Sequence, residues 1–371
     1  MNDTTQRYAP GEHPDMPPPV TAVGAVGWMR QNLFSSPLNV ALTLIGLYLL
    51  WLLVPPVIDW AFLNADWFGT EREACTSGGA CWVFINMRMD QFMYGFYPAE
   101  QRWRVDIAFL IFAACIAWLL IPRLPGKNKV GIFALFIYPI IAFFLLSGGS
   151  FGLEHVETPK WGGLMLTLVI AVVGIVASLP IGVVLALGRR SQMPIVRSIC
   201  VTFIEFWRGV PLITVLFMAS VMFPLFMPEG VNFDKLLRAL IGVMLFSSAY
   251  MAEVIRGGLQ AIPKGQYEAA EALGLGYWRM MYLIILPQAL KMVIPGIVNT
   301  FIGLFKDTTL VLIIGLFDFL GIVQAAATDP KWLGYSVEGY VFCAFVYWCF
   351  CFGMSRYSIH LENKLHTGHK R

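Results

Sequence analysis

Residues 266–290, QYEAAEALGLGYWRMMYLIILPQAL, lie between two strongly apolar runs and differ from both. The stretch opens with Glu268, Ala269, Ala270 and Glu271, good helix formers that carry two charges. It then breaks at Gly274-Leu275-Gly276. Gly274 stands where a left-handed helix C-cap belongs. From Tyr277 a second stripe begins, with Trp278, Met281, Tyr282 and Ile285 at i, i+3, i+4 and i+7 of a helix. Pro287 marks the expected end of that helix. The stretch 266–286 is therefore predicted to form helix, glycine turn, helix outside the apolar runs. Its apolar surface can pack beneath the chain's own helices or fill a groove on a partner.

The runs on either side belong to a membrane protein. Of 371 residues, 58% are hydrophobic and 13% charged, against the roughly 25% charged share of a soluble domain. Mean hydropathy is +0.68. The net charge of +3 is too small to imply a nucleic-acid partner. A bilayer core takes about 20 apolar residues as a helix. Eight stretches qualify, at about 38–57, 105–121, 130–147, 161–187, 209–227, 237–255, 292–313 and 336–357. Residues 1–36 are polar and Pro-rich and show no signal-peptide core with a small-residue cleavage site. The run near Leu38 is expected to stay as an anchor. The fold class is thus an all-α integral membrane protein with eight spans.

Basic residues orient the spans. Arg123, Lys127 and Lys129 share one short loop, Arg189, Arg190 and Arg197 another, and Arg256, Lys264, Arg279 and Lys291 the segment 256–291. The segments 148–160 and 314–335 hold one lysine each, Lys160 and Lys331. Both termini, and the 266–286 hairpin, are expected on the cytoplasmic side. The loop 58–104 carries four arginines, but long loops weigh little in this rule. Motifs crowd into the second half. Residues 1–157 are read as a tail with three accessory spans and a loop, 158–358 as the working core and 359–371 as a tail. No internal repeat appears, so an inverted-repeat secondary transporter is not supported.

Charges inside spans are costly, at least about 2.5–3.5 kcal/mol each. FIEFWRGVPL places Glu205 and Arg208 three apart on one helix face, with 194–208 as an interfacial elbow before Pro211. AYMAEVIRGGL places Glu253 and Arg256 likewise. Both are candidate inner-face ion pairs. LFKDTTLVL puts Lys306 and Asp307 well inside the seventh span, followed by Thr308 and preceded two turns earlier by Asn299. Adjacent helical residues point about 100° apart, so Lys306 and Asp307 cannot face one neighbour. These four are candidates for a translocation path, because a zwitterionic solute needs groups of both signs at that depth.

No catalytic arrangement or metal-ligand spacing is present. The five histidines, His13, His155, His360, His366 and His369, lie outside the spans, and no phosphate-binding loop occurs. Five of the seven cysteines stand in apolar stretches as small buried side chains. Cys75 and Cys81, in CTSGGAC, are predicted to pair in an oxidising compartment.

Glu268-Ala269-Ala270, Gly274 and Ile284-x-Leu286-Pro287 spell EAA-x3-G-x9-I-x-L-P. This resembles the EAA loop of permease subunits of ABC importers, with every signature position filled. WGGLMLTL, SLPIGVVLALGRRS, FIEFWRGVPL, AYMAEVIRGGLQAIPKGQ and FKDTTLV extend the likeness over about 158–358, toward the polar amino-acid branch. The three added spans and the 58–104 loop look like the M-type permease of general L-amino-acid transport systems. The resemblance implies a bacterial inner-membrane permease subunit, not an enzyme, working by alternating access. It implies that 266–286 holds the coupling helix that docks on an ATP-hydrolysing subunit. ATP and Mg²⁺ would be bound there, with no cofactor in this chain. It further implies a second related permease and a periplasmic amino-acid-binding protein. Two alternatives remain open: an ABC permease for another polar solute, and an ion-coupled transporter using Lys306 and Asp307.

Overall fold

The structure, a computed structural model, describes residues 24–121, 123–228 and 233–365. His13 in the Pro-rich start, and His366, His369, Lys370 and Arg371 at the end, lie outside the described residues.

Among the described residues the chain is helical, with isolated β-bridges and no strand. Seven helices are long and apolar enough to cross a membrane: Pro37–Leu63, Ala99–Leu120, Lys127–Ser147, Gly163–Arg189, Lys235–Ala261, Ile294–Ile314 and Ser336–Leu365. The pair Pro194–Gly209 and Leu212–Phe226, bent by 100°, fills the fifth place and completes eight. The bend falls at Val210-Pro211. Proline forces the residue before it into extended backbone, and Val210 has φ −107° and ψ 133°. The expected elbow is therefore present.

Two compact units divide the chain. The smaller runs to Trp67 and takes in Glu73–Cys81; the larger holds Phe68–Arg72 and everything from Trp82 on. In the smaller, Ser36 caps the first span by accepting the Asn39 N–H at 3.2 Å. No residue of Pro37–Ile58 is buried, so that helix offers apolar side chains all round. Cys75 and Cys81 are joined by a disulfide. Inside its ring Ser77 donates to the Asp66 carboxylate from its N–H (3.1 Å) and its hydroxyl (2.7 Å).

In the larger unit, the fourth span (Gly163–Arg189) and the sixth (Lys235–Ala261) form the densest pairing. Small residues let them approach: a Cβ at Gly182 would lie 2.7 Å from the Met251 side chain. The helix Trp82–Tyr94, which lies before the second span, belongs to this unit. Its Phe84 and Phe92 pack on Trp332 and Phe342 near the start of the eighth span. The four arginines of 58–104 are all engaged. Arg72 lies over the Tyr335 ring, Arg88 pairs with Asp329, Arg102 pairs with Asp90 at 2.6 Å, and Arg104 is buried and donates to the Glu154 carbonyl at 3.0 Å.

Candidate functional site

The hairpin follows the sixth span after Ile262-Pro263. Its first helix is Lys264–Ala272. Gly274 ends it with φ +73°. The Leu275 N–H donates to the Ala270 carbonyl (3.2 Å) and the Gly274 N–H to that of Glu271 (2.8 Å). That pair of bonds is the Schellman C-cap, and a left-handed residue is its requirement. A Cβ at Gly274 would meet nothing within 4 Å. Backbone conformation alone selects glycine there.

The second arm departs from the sequence reading. Tyr277–Met280 begins as an α-helix, Met281–Ile285 widens to a π turn, and Leu286–Met292 continues. Pro287 does not end the arm. The π turn carries i→i+5 bonds up to the Leu286 N–H, which donates to Met281, so the missing proline N–H costs no i→i+4 bond there. The widened turn also shifts the register. Of the predicted stripe, Met281 and Ile285 are buried with Met280, whereas Trp278 (73% exposed) and Tyr282 (76%) face outward.

The hairpin thus has two faces. Ala270, Met280, Met281 and Ile285 pack against Leu259, Ile262, Ile255 and Met251. Burying each large side chain contributes about 1.5–3 kcal/mol, which fixes the hairpin under the sixth span. Gln288 ties the arms by donating to Gln266 at 3.1 Å. The outward face carries Leu273, Tyr277, Trp278, Tyr282 and Leu283, all exposed. The signature residues divide between the faces: Glu268, Ala269, Gly274 and Pro287 are exposed, Ala270 is buried, and Ile284 and Leu286 are half-buried. Large apolar patches left exposed outside the spans are the kind of surface that binding partners cover.

Beside the hairpin, three guanidiniums converge on Glu253. Arg256 approaches its Oε2 at 2.8 Å, Arg189 its Oε1 at 3.2 Å and Arg208 its Oε2 at 3.5 Å. The expected Glu253–Arg256 pair forms. A local Glu205–Arg208 pair does not: Glu205 takes Arg189 at 3.3 Å. Arg208 is held across the bundle, where its guanidinium also lies 5.5 Å from the Tyr250 ring centroid. A carboxylate only 15% exposed attracts more strongly than one in water. Arg189, which the sequence did not single out, bridges both acids.

In the seventh span (Ile294–Ile314), Asn299 and Lys306 are seven residues apart on one exposed face, and Asp307 is half-buried beside them. Among the described residues neither Lys306 nor Asp307 forms a salt bridge. Thr308 turns the other way. It is buried, donates to the Phe305 carbonyl at 2.8 Å and lies 3.5 Å from the Tyr347 hydroxyl. That hydroxyl donates to Asp318 at 3.2 Å. Asp318, absent from the sequence candidates, is fully buried and caps the short helix Phe319–Ala327 by accepting the Gly321 N–H (3.0 Å) and Leu320 N–H (3.3 Å). Burial pushes its carboxyl up to about 6, against those hydrogen bonds. An acid just before an apolar run is an N-cap signal, which could have found it.

Residues 178–366 match the family model described as "Binding-protein-dependent transport system inner membrane component". The "Inner membrane amino-acid ABC transporter permease protein YhdY" of Escherichia coli (strain K12) is 60% identical over 96% of this chain and 97% of its own length. The "Glutamate/glutamine/aspartate/asparagine transport system permease protein BztC" of Rhodobacter capsulatus is 43% identical over the full length of both. A crystal structure of an amino acid ABC transporter with histidines superposes at a TM-score of 0.49 and 28% identity, over 54% of this chain and 92% of its own. By sequence, over half its length in the family model and nearly all of it in the relatives, this chain belongs to the inner-membrane components of binding-protein-dependent transport systems.

Proposed function

We propose that this chain is the membrane subunit of an ATP-driven L-amino-acid importer, and that residues 266–286 dock the ATP-hydrolysing partner. One observation carries the docking: a hairpin outside the spans is buried on one face and presents Leu273, Trp278, Tyr282 and Leu283 on the other. The amino-acid substrate is supported by two relatives, one named an amino-acid ABC transporter permease and one a glutamate/glutamine/aspartate/asparagine transport system permease. The hairpin end, with its excess of arginine and lysine, faces the cytoplasm, and so do both termini. ATP and Mg²⁺ belong to the partner; the chain is a transport subunit and not an enzyme. A second related permease completes the path, and a periplasmic binding protein delivers the solute. Asn299, Lys306 and Asp307 line the path on their open face, with Thr308 anchoring the helix behind them.

The test is co-purification. The wild-type chain brings down an ATPase, and Glu268→Lys, which reverses a charge at the rim of the exposed face, weakens that capture and lowers uptake with it. Undiminished capture by Glu268→Lys and by Trp278→Glu together would sink the docking role.

A further inference from the structure

Two adjacent arginines end the fourth span and reach in different directions. Arg189 holds Glu253 on the sixth span and Glu205 on the elbow helix Pro194–Gly209. Arg190 holds the hairpin. Its Nη1 donates to the Leu259 carbonyl at 2.7 Å and to the Tyr267 hydroxyl oxygen at 3.1 Å. Its guanidinium lies 5.7 Å from the Tyr267 ring centroid. Tyr267 itself donates to the Leu259 carbonyl at 3.3 Å. Leu259 is in the last turn of the sixth span, where carbonyls lack helical partners. Arg190, Leu259 and Tyr267 thus close a triangle over the two-residue connection Ile262-Pro263.

The hairpin is fixed to the spans in two ways. Its buried face is apolar, and such contacts are non-directional. The triangle is directional, because hydrogen bonds weaken steeply off axis. A shift of the hairpin is therefore felt first by Tyr267 and Arg190. Arg190 is covalently next to Arg189, so the same shift moves the ion pairs that hold the sixth span and the elbow. We infer that the Arg190–Tyr267 contact is the joint that passes movement of the docked hairpin to the fourth span and, through Arg189, to the elbow. Both are positioning residues, and the role rests on the docking proposed above.

The test uses the whole complex in proteoliposomes with its binding protein and a radiolabelled mixture of L-amino acids. The variants are Arg190→Gln, Tyr267→Phe, the double variant and Arg190→Lys. Uptake, ATP hydrolysis and the amount of bound ATPase are measured together. The single variants keep the ATPase bound and hydrolysis running, while uptake per ATP falls about fivefold, the effect of ~1 kcal/mol on the barrier of the coupled step. The double variant is no worse than either single one, because the partners act as a unit. Arg190→Lys, which keeps the charge and one donor nitrogen, recovers part of the ratio. A merely structural cap would reduce the amount of complex and leave uptake per ATP unchanged; that outcome, or additive losses in the double variant, overturns the inference. If Gly274→Leu and Glu268→Lys retain full coupling, the docking reading falls and this joint falls with it.

Discussion

Arg208 reaches across the bundle to Glu253, 3.5 Å away, and leaves Glu205, three residues before it on the same helix, to Arg189 at 3.3 Å. One carboxylate is thereby shared by three cations while the more exposed acid holds one.

Removing Glu253 should accordingly hurt most. Glu253→Gln leaves Arg189, Arg208 and Arg256 facing one another without their common anion. Unmatched charge of this kind costs on the order of 2 kcal/mol or more at a partly buried site. Glu205, whose side chain is 63% exposed, should cost under about 1 kcal/mol when changed to Gln. Thermal unfolding of the purified protein in detergent checks the order. Equal losses would mean that the shared carboxylate holds nothing special.

Gly274 separates conformation from bulk. Because a Cβ there meets nothing within 4 Å, the penalty of Gly274→Leu comes from φ alone, about 1–2 kcal/mol. Asn tolerates that region, so Gly274→Asn should retain most uptake while Gly274→Leu loses both uptake and substrate-stimulated hydrolysis. If the two variants behave alike, crowding in the docked complex is what matters at this position.

Asp307 has no salt-bridge partner among the described residues to explain its position in the span. Asp307→Asn should insert normally yet lower uptake at least about fivefold, the effect of ~1 kcal/mol on a barrier. Quantitative blotting of membranes beside uptake assays decides this. Normal uptake by a normally inserted variant would take Asp307 out of the path.

Asp318 predicts a pH dependence. Its folded-state carboxyl titrates near 6, above the ordinary value of 3.8, because burial disfavours the charge. The unfolded state thus releases its proton more readily, and this group costs stability in full above pH 6. The cost shrinks as pH falls from 6 toward 4. From pH 7 to pH 5 the wild type should gain about 1 kcal/mol relative to Asp318→Asn. Parallel unfolding curves for the two proteins between those values would show that Asp318 does not titrate there.

Local chemistry made part of this legible. The elbow follows from Pro211, the hairpin turn from Gly274, and the spans from length and apolarity. Helical periodicity put Trp278, Met281, Tyr282 and Ile285 on one stripe, but the structure exposes the first and third and buries the other two; the π turn at Met281–Ile285 leaves no mark in the pattern of apolar residues. Glu205 and Arg208 have helical spacing, but two other helices, the fourth and sixth spans, decided their partners. Arg190 and Tyr267 are 77 positions apart and carry no local signal of meeting. The same holds for Arg88 and Asp329, 241 positions apart.

The helix Trp82–Tyr94 bears on how such a chain can be divided. A cut at residue 158 would keep the last five spans in sequence but strip Phe84 and Phe92 from Trp332 and Phe342, baring aromatic surface beside the eighth span. The chain from Trp82 on therefore cannot be parted from the later spans without cost. Part of it roofs aromatic side chains next to the eighth span.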